Sequence, residues 1–477
     1  MTDATVHTAP LHRWPARDLA AGIAHRDISA VEVMRAHLER IEERNGILRA
    51  IVSPVTEAEA LRMAEDADRA VARGDRLGRL HGLPTGVKDL VDVAGLPTVN
   101  GSAAFADAPP AMRDSVLAEK LRESGALIIA KTNTPEMGLG TLTFNPVFGV
   151  TVNPWDTTRH AGGSSGGAGA AVADGLLPIA DGSDSGGSIR YPASFCNVVG
   201  LRPTPGTVPT GRLGDGWAPH GVLGPLARDA ADTALLLSGI SSNDDRWPLS
   251  WVDDPAAFRV ALPPEPSALR LAWSTDVGGV PIDPAVRAAQ AAARATLEAA
   301  GVEVIDIEPD LDGADECWEA IELFAFGADG AARVDESRVG YRPDYLRNVD
   351  EGRAMSADRL GRALARRTEI FRATARVLRG VDAIVYPGAP VPAPLAELEW
   401  VHEIDGTRFD RYFEWQRTAC RLTVTGHPVL ATPAGFTPEG LPVGLQVVGA
   451  SRGDARLLAV GTTIERILGH VGRFPGE

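Results

Sequence analysis

Apolar positions along this chain alternate between two rhythms. Ser29-Ala-Val-Glu32 has capping-box spacing, Ile28 and Val33 are placed as a hydrophobic staple, and Val33, Met34, Leu38 and Ile41 recur at helical intervals. A helix is therefore predicted to about Asn45-Gly46, and a second over 57–73, ending at Gly74. Helical runs then alternate with short β-branched runs: 116–123 with 127–130, 229–240 with 271–273, and the Ala-rich 284–300 with 302–307. Apolar runs at 383–386, 428–431 and 443–448 precede a last helix at 455–468. This alternation predicts an α/β fold, a single large domain over 1–477 with a central mixed, largely parallel sheet covered by helices. In open α/β sheets, ligands bind at loops after strand ends.

The 477 residues are 44% apolar and 23% charged, within the globular range, and the net charge is −16. That acidity argues against nucleic acid or an anionic membrane as partner. No apolar run is long enough to span a bilayer, and the first residues lack a signal-peptide pattern, so a cytoplasmic location is expected. Cys196, Cys317 and Cys420 fit neither a disulfide framework nor a metal motif, so reduced, buried thiols and no metal or cofactor are expected.

The chemistry-bearing stretch runs over 162–202, GGSSGGAGAAVADGLLPIADGSDSGGSIRYPASFCNVVGLR. Two serine-bearing glycine turns, 163–166 and 185–188, flank a predicted short helix and the apolar strand 176–180. Glycine permits positive φ and close approach to backbone N–H groups, which suits a nucleophile and an oxyanion site. Gly162-Gly-Ser-Ser-Gly166 formally matches the G-x-S-x-G elbow, but the residues before it form a turn-rich loop and not a strand. Asp184-Ser-Gly-Gly187 echoes a trypsin-like turn, whose all-β barrel the helical rhythm excludes; no P-loop string occurs. A flexible Gly/Ser loop accounts for the composition, but not for a strand packed between the turns or for Asp184 and Arg190 around the second. Upstream, Lys88 lies in GLPTGVKDL, either as a surface lysine paired with Asp89 or as a buried one.

Lys88 in that segment, Ser164 in GGSSGG and Ser188 in GSDSGGSIR resemble the amidase signature family, with the two serines 24 residues apart. The likeness continues through KTNTPEMG, NPVFG, NPWD, VVGLRPTPG and GLPVGLQVVG, densely over 80–240 and more loosely over 380–450. It divides the chain into a helical segment at about 15–75, a signature core at about 80–240, a variable region at about 241–380 and a completing segment at about 381–470. The resemblance implies a Ser-cisSer-Lys triad: Ser188 as nucleophile, Ser164 as bridge, Lys88 as base. It further implies an oxyanion hole from the backbone of Ser185, Gly186, Gly187 and Ser188, with Asp184 and Arg190 stiffening the turn and Ser165 bonded within the first turn. A lysine acts as base only when neutral, so its pKa must fall well below ~10.4, and burial drives it that way. Leu83, Val87 and Leu90 are apolar company for it. The chain departs from the family pattern at Ser185 and at His160-Ala161.

Met137, Leu139, Gly140, Phe144, Trp217 and Trp415 are candidates for the pocket wall, with the loop 214–221 and the segment 324–345. The expected substrates are small aryl or alkyl amides, with carbamates and esters open to the same acyl transfer, and a homodimer is compatible with the resemblance. Two other classes stand beside this reading. One is the glutamine-hydrolysing component of an aminoacyl-tRNA amidotransferase, although after Pro205-Gly206 the chain reads Thr-Val-Pro-Thr-Gly, without that class's arginine- and tyrosine-containing continuation. The other is a non-catalytic binding protein on the same fold.

Overall fold

The computed structural model describes residues 9–210, 216–259 and 261–476. Its strands in chain order are β1 (Ile51–Val52), β2 (Pro84–Lys88), β3 (Leu127–Thr132), β4 (Ile179–Asp184), β5 (Val199–Arg202), β6 (Val222–Ala227), β7 (Arg270–Trp273), β8 (Glu303–Asp306) and β9 (Ala383–Pro387). The small hairpin β10 (Glu403–Ile404) and β11 (Thr407–Arg408) follows, then β12 (Val429–Phe436) and β13 (Pro442–Val448). Eleven of these form one sheet, in the order β1-β3-β2-β4-β6-β5-β12-β13-β9-β7-β8.

The sheet is mixed, and its parallel pairs are gathered in two triplets, β3-β2-β4 and β9-β7-β8. Between the triplets every pair is antiparallel, the hairpin β12–β13 included. Helix-linked units build the parallel wings, whereas a short turn such as 437–441 can only join antiparallel strands. The strand expected over 176–180 begins at Ile179 and runs on through Asp184. Gly175, at φ 76°, ends the preceding helical turn, and the chain becomes extended only after Pro178.

Helix ends follow local chemistry. The capping box at Ser29 forms, with Glu32 N donating to Ser29 Oγ at 3.1 Å and Ser29 N to Glu32 Oε2 at 2.7 Å. Ser115 caps Val116–Glu123 and Asp229 caps Ala230–Ile240, each worth about 1 kcal/mol. Glu57–Arg73 buries Ala60, Ala64, Ala67 and Val71, one stripe at helical spacing, and stops at left-handed Gly74. The helix Gly166–Ala173 is buried on every side, and its Gly/Ala composition lets it lie close to β3 and β4. Pro343–Arg353, Ala357–Leu378 and Arg417–Val424 each pack on Ala314–Glu336, and this helical cover lies against the turn that follows β4. Among the described residues no helix is long and apolar enough to cross a membrane.

Candidate active site

Lys88 ends β2, which runs between β3 and β4. Its side chain is fully buried, and Nζ lies 2.7 Å from Ser164 Oγ, 2.9 Å from Ser165 Oγ and 2.9 Å from Ser183 Oγ. Asp89 points elsewhere: Oδ1 accepts from Val99 N at 3.1 Å and lies 3.5 Å from Lys131 Nζ in a buried pair. The surface pairing of Lys88 with Asp89 is thereby excluded.

Ser164 follows a cis peptide bond from Gly163, just before the helix Gly166–Ala173. Ser165 Oγ donates to Ser183 O at 3.4 Å and accepts from Ser183 N at 3.3 Å, besides meeting Lys88. Its bonds run across to β4 and β2 and not within its own turn, which corrects the expectation for this residue. The backbone of Ser165 also donates to Ser188 O at 3.0 Å, so the two serine turns are tied directly.

The second turn is held from beneath. Asp184, the last residue of β4, accepts from Gly187 N at 2.9 Å and Ile189 N at 3.1 Å. Arg190 grips the same carboxylate through Nε at 2.9 Å and Nη2 at 2.8 Å, and Arg202 donates to the Asp184 carbonyl. Burial pushes the Asp184 carboxyl up, but the charge and hydrogen bonds of Arg190, with Arg202 and the Gly187 amide, outweigh it and hold the group well below the usual carboxylate range. Arg190 continues to Ala419 O at 3.0 Å, Thr423 Oγ1 at 2.7 Å and Gln446 Oε1 at 2.7 Å. Gly187 has φ 108°, and a Cβ there would lie 2.6 Å from that of Ala419, so the position admits only glycine.

Ser188 is 7% exposed at the edge of this turn. Among the described residues no hydrogen bond joins the hydroxyls of Ser164 and Ser188. Of the four backbone N–H groups expected to line an oxyanion site, that of Gly187 is engaged by Asp184. Those of Ser185, Gly186 and Ser188 make no hydrogen bond among the described residues. The expected set of four therefore reduces to three available donors.

The wall candidates separate. A Cβ at Gly138 would lie 3.8 Å from Ser164 Oγ, so the segment carrying half-buried Met137, buried Leu139 and Gly140 adjoins the serine, with Gly140 against the Tyr412 ring. Phe144 is half-buried under the Arg342 guanidinium, 4.6 Å from its ring centre. Trp415 is 1% exposed and packs on Tyr191 at 5.4 Å, a core residue and not a wall. Trp217 is 71% exposed and stands at the surface; Gly214 and Asp215 of its loop lie outside the described residues.

Three residues beside the second turn carry no motif. Trp318 Nε1 donates to Ser185 O at 2.7 Å, and Ser185 Oγ donates to Glu322 Oε1 at 3.1 Å. His220 Nε2 lies 3.0 Å from Glu322 Oε2, out of hydrogen-bond alignment, and burial lowers the imidazole pKa against the opposing effect of Glu322. Trp318 and Glu322 share one face of Ala314–Glu336 at i, i+4, a spacing any amphipathic helix shows. All three cysteines are free and buried, and among the described residues no cluster of three or more His, Cys, Asp or Glu is placed to hold a metal ion.

The amidase family model matches residues 32–458, and the chain belongs to the amidase signature family. It is 34% identical to an acylamidase of Rhodococcus erythropolis, over 98% of each chain. It is also 35% identical to an indoleacetamide hydrolase of Bradyrhizobium diazoefficiens, over 97% of this chain and 88% of the relative. A glutamyl-tRNA(Gln) amidotransferase component of Thermosynechococcus vestitus is 32% identical, over 94% of this chain and 97% of the relative. The crystal structure of a bacterial aryl acylamidase of the same family superposes with a TM-score of 0.87 at 27% identity, covering 96% of this chain and 97% of that one.

Proposed function

We propose that the protein is an amidase that cleaves small aryl or alkyl amides through Ser188, Ser164 and Lys88. The observation that carries this reading is the arrangement around the lysine. A neutral amine offers two N–H donors and one lone pair. Three hydroxyls surround Nζ, so Ser165 and Ser183 can accept while Ser164 donates. Ser188 Oγ then attacks the carbonyl carbon as its proton passes to Ser164 and that of Ser164 to Lys88. The oxyanion is met by the N–H groups of Ser185, Gly186 and Ser188, each such donor worth about 3 kcal/mol in the transition state. On collapse the C–N bond breaks, Ser164 returns a proton to the leaving nitrogen and regains one from Lys88. Water attacks the acyl ester by the same relay, releasing the acid and restoring Ser188.

Trp318, against the second turn, packs on Phe413 and Phe413 on Tyr412, and these rings favour aryl or apolar groups, in keeping with the acylamidase relatives. Carbamates and esters undergo the same acyl transfer and are secondary substrates in this reading. The amidotransferase relative favours a second reading, glutamine hydrolysis within a complex. A panel of anilides, aliphatic amides, carbamates, esters and glutamine, run with wild type, Lys88→Ala and Ser188→Ala, separates these readings. Amide cleavage lost in both variants is expected; turnover of glutamine alone, or full activity in Lys88→Ala, overturns the proposal.

A further inference from the structure

The sequence PIADGSDSGG places an aspartate three residues before Asp184, a position no part of the relay uses. Asp181 lies on β4 beside β2 and is 1% exposed. Its Oδ1 accepts from the backbone N–H of Lys88 at 2.9 Å, whereas Oδ2 is buried with no hydrogen-bond partner among the described residues. A buried carboxylate oxygen without a protein partner is costly.

The charges around it are few. β2 contributes Lys88; β3 contributes Lys131, itself 3.5 Å from Asp89. On the other side β6 reads Val-Leu-Gly-Pro-Leu-Ala and brings none, and Asp184 on β4 is committed to Arg190. We propose that Asp181 is a positioning residue for the general base: it fixes the backbone where Lys88 leaves β2, and its carboxylate governs how tightly the buried lysine holds its proton. This rests on the assignment of Lys88 above. A carboxylate nearby favours the ammonium, the inactive form of the base. Burial, opposed by the Lys88 amide and by both lysines, raises the Asp181 carboxyl to about 6, so near neutral pH the residue changes charge where the base must operate.

The test follows the rate at which a fluorophosphonate labels Ser188 as a function of pH, a readout that needs no amide substrate. Asp181→Asn keeps an acceptor for the Lys88 amide but removes the charge. The midpoint of the rising limb is expected to move down by about one pH unit, about tenfold faster labelling on the wild-type limb. Asp181→Ala, which also removes the acceptor, is expected to lower the plateau as well. An Asp181→Asn limb superimposed on that of wild type overturns the inference while leaving the triad standing. Wild-type Ser188 that is not labelled at any pH overturns the triad and this inference together. Should neither variant fold, carboxyl signals of [γ-13C]aspartate in the wild type are compared with those in Lys88→Met: a high-titrating carboxyl that moves supports the coupling, and an unchanged set overturns it.

Discussion

The segment 84–202 and the helical cover 314–353 meet at Ser185, and they are built on opposite rules. The first carries its chemistry in contiguous strings, is buried almost throughout 161–202, and joins its groups through short contacts between β2, β4 and two turns. The cover is amphipathic and laced with exposed ion pairs such as Arg338–Asp350 and Arg353–Asp335, and it reaches the site with only a few side chains. Exposed pairs of this kind add little stability. The proposed reaction machinery thus sits where backbone geometry is fixed by burial, and the surface proposed to select a substrate sits where substitutions are tolerated.

Variants of the two regions should differ in kind as well as in size. Ser188→Ala and Lys88→Ala are expected to lower kcat about 10⁴-fold or more on every substrate by a common factor, with circular dichroism unchanged. A loss restricted to one substrate class would break the contrast. Asp184→Asn leaves Arg190 buried without its partner and is expected to cost about 3–5 kcal/mol at neutral pH, read from denaturant midpoints. Because the native carboxyl titrates well below its unfolded value of about 3.9, that stabilisation is complete above the unfolded pKa and lost as pH falls toward the native one. The gap between wild type and variant should therefore narrow below about pH 4.

Trp318→Phe removes the donor to Ser185 O, about 1 kcal/mol, and should change the anilide-to-alkylamide ratio of kcat/KM about fivefold, while the denaturant midpoint moves little. A uniform fall on all substrates would assign Trp318 to the machinery and not to selection. Trp217→Ala should be the quietest, within about 0.5 kcal/mol in stability and roughly twofold in kcat/KM.

Much of the architecture is legible in the sequence because its signals are local. Ser29 caps its helix where the capping box puts it, and the helix expected over 57–73 forms and stops at Gly74. Local signals fail where a buried strand is polar: Asp181 to Asp184 lack the usual strand residues, so the expected strand stops at 180, short of the two aspartates that β4 carries. Trp415 shows the other limit, since an aromatic in the core and one on a pocket wall look alike in one dimension. Trp318 and Glu322 are invisible in the sequence because only tertiary packing brings residues 318 and 322 to residue 185, and His220 is legible only as part of the candidate loop 214–221.

The reach of Arg190 has a consequence for how the molecule matures. Three of the groups that clamp this guanidinium come from residues 419, 423 and 446, near the far end of the chain. A polypeptide emerging during synthesis holds Lys88, Ser164 and Ser188 before those anchors exist. The brace beneath the second turn is therefore complete only when the hairpin β12–β13, which carries Gln446, is in place.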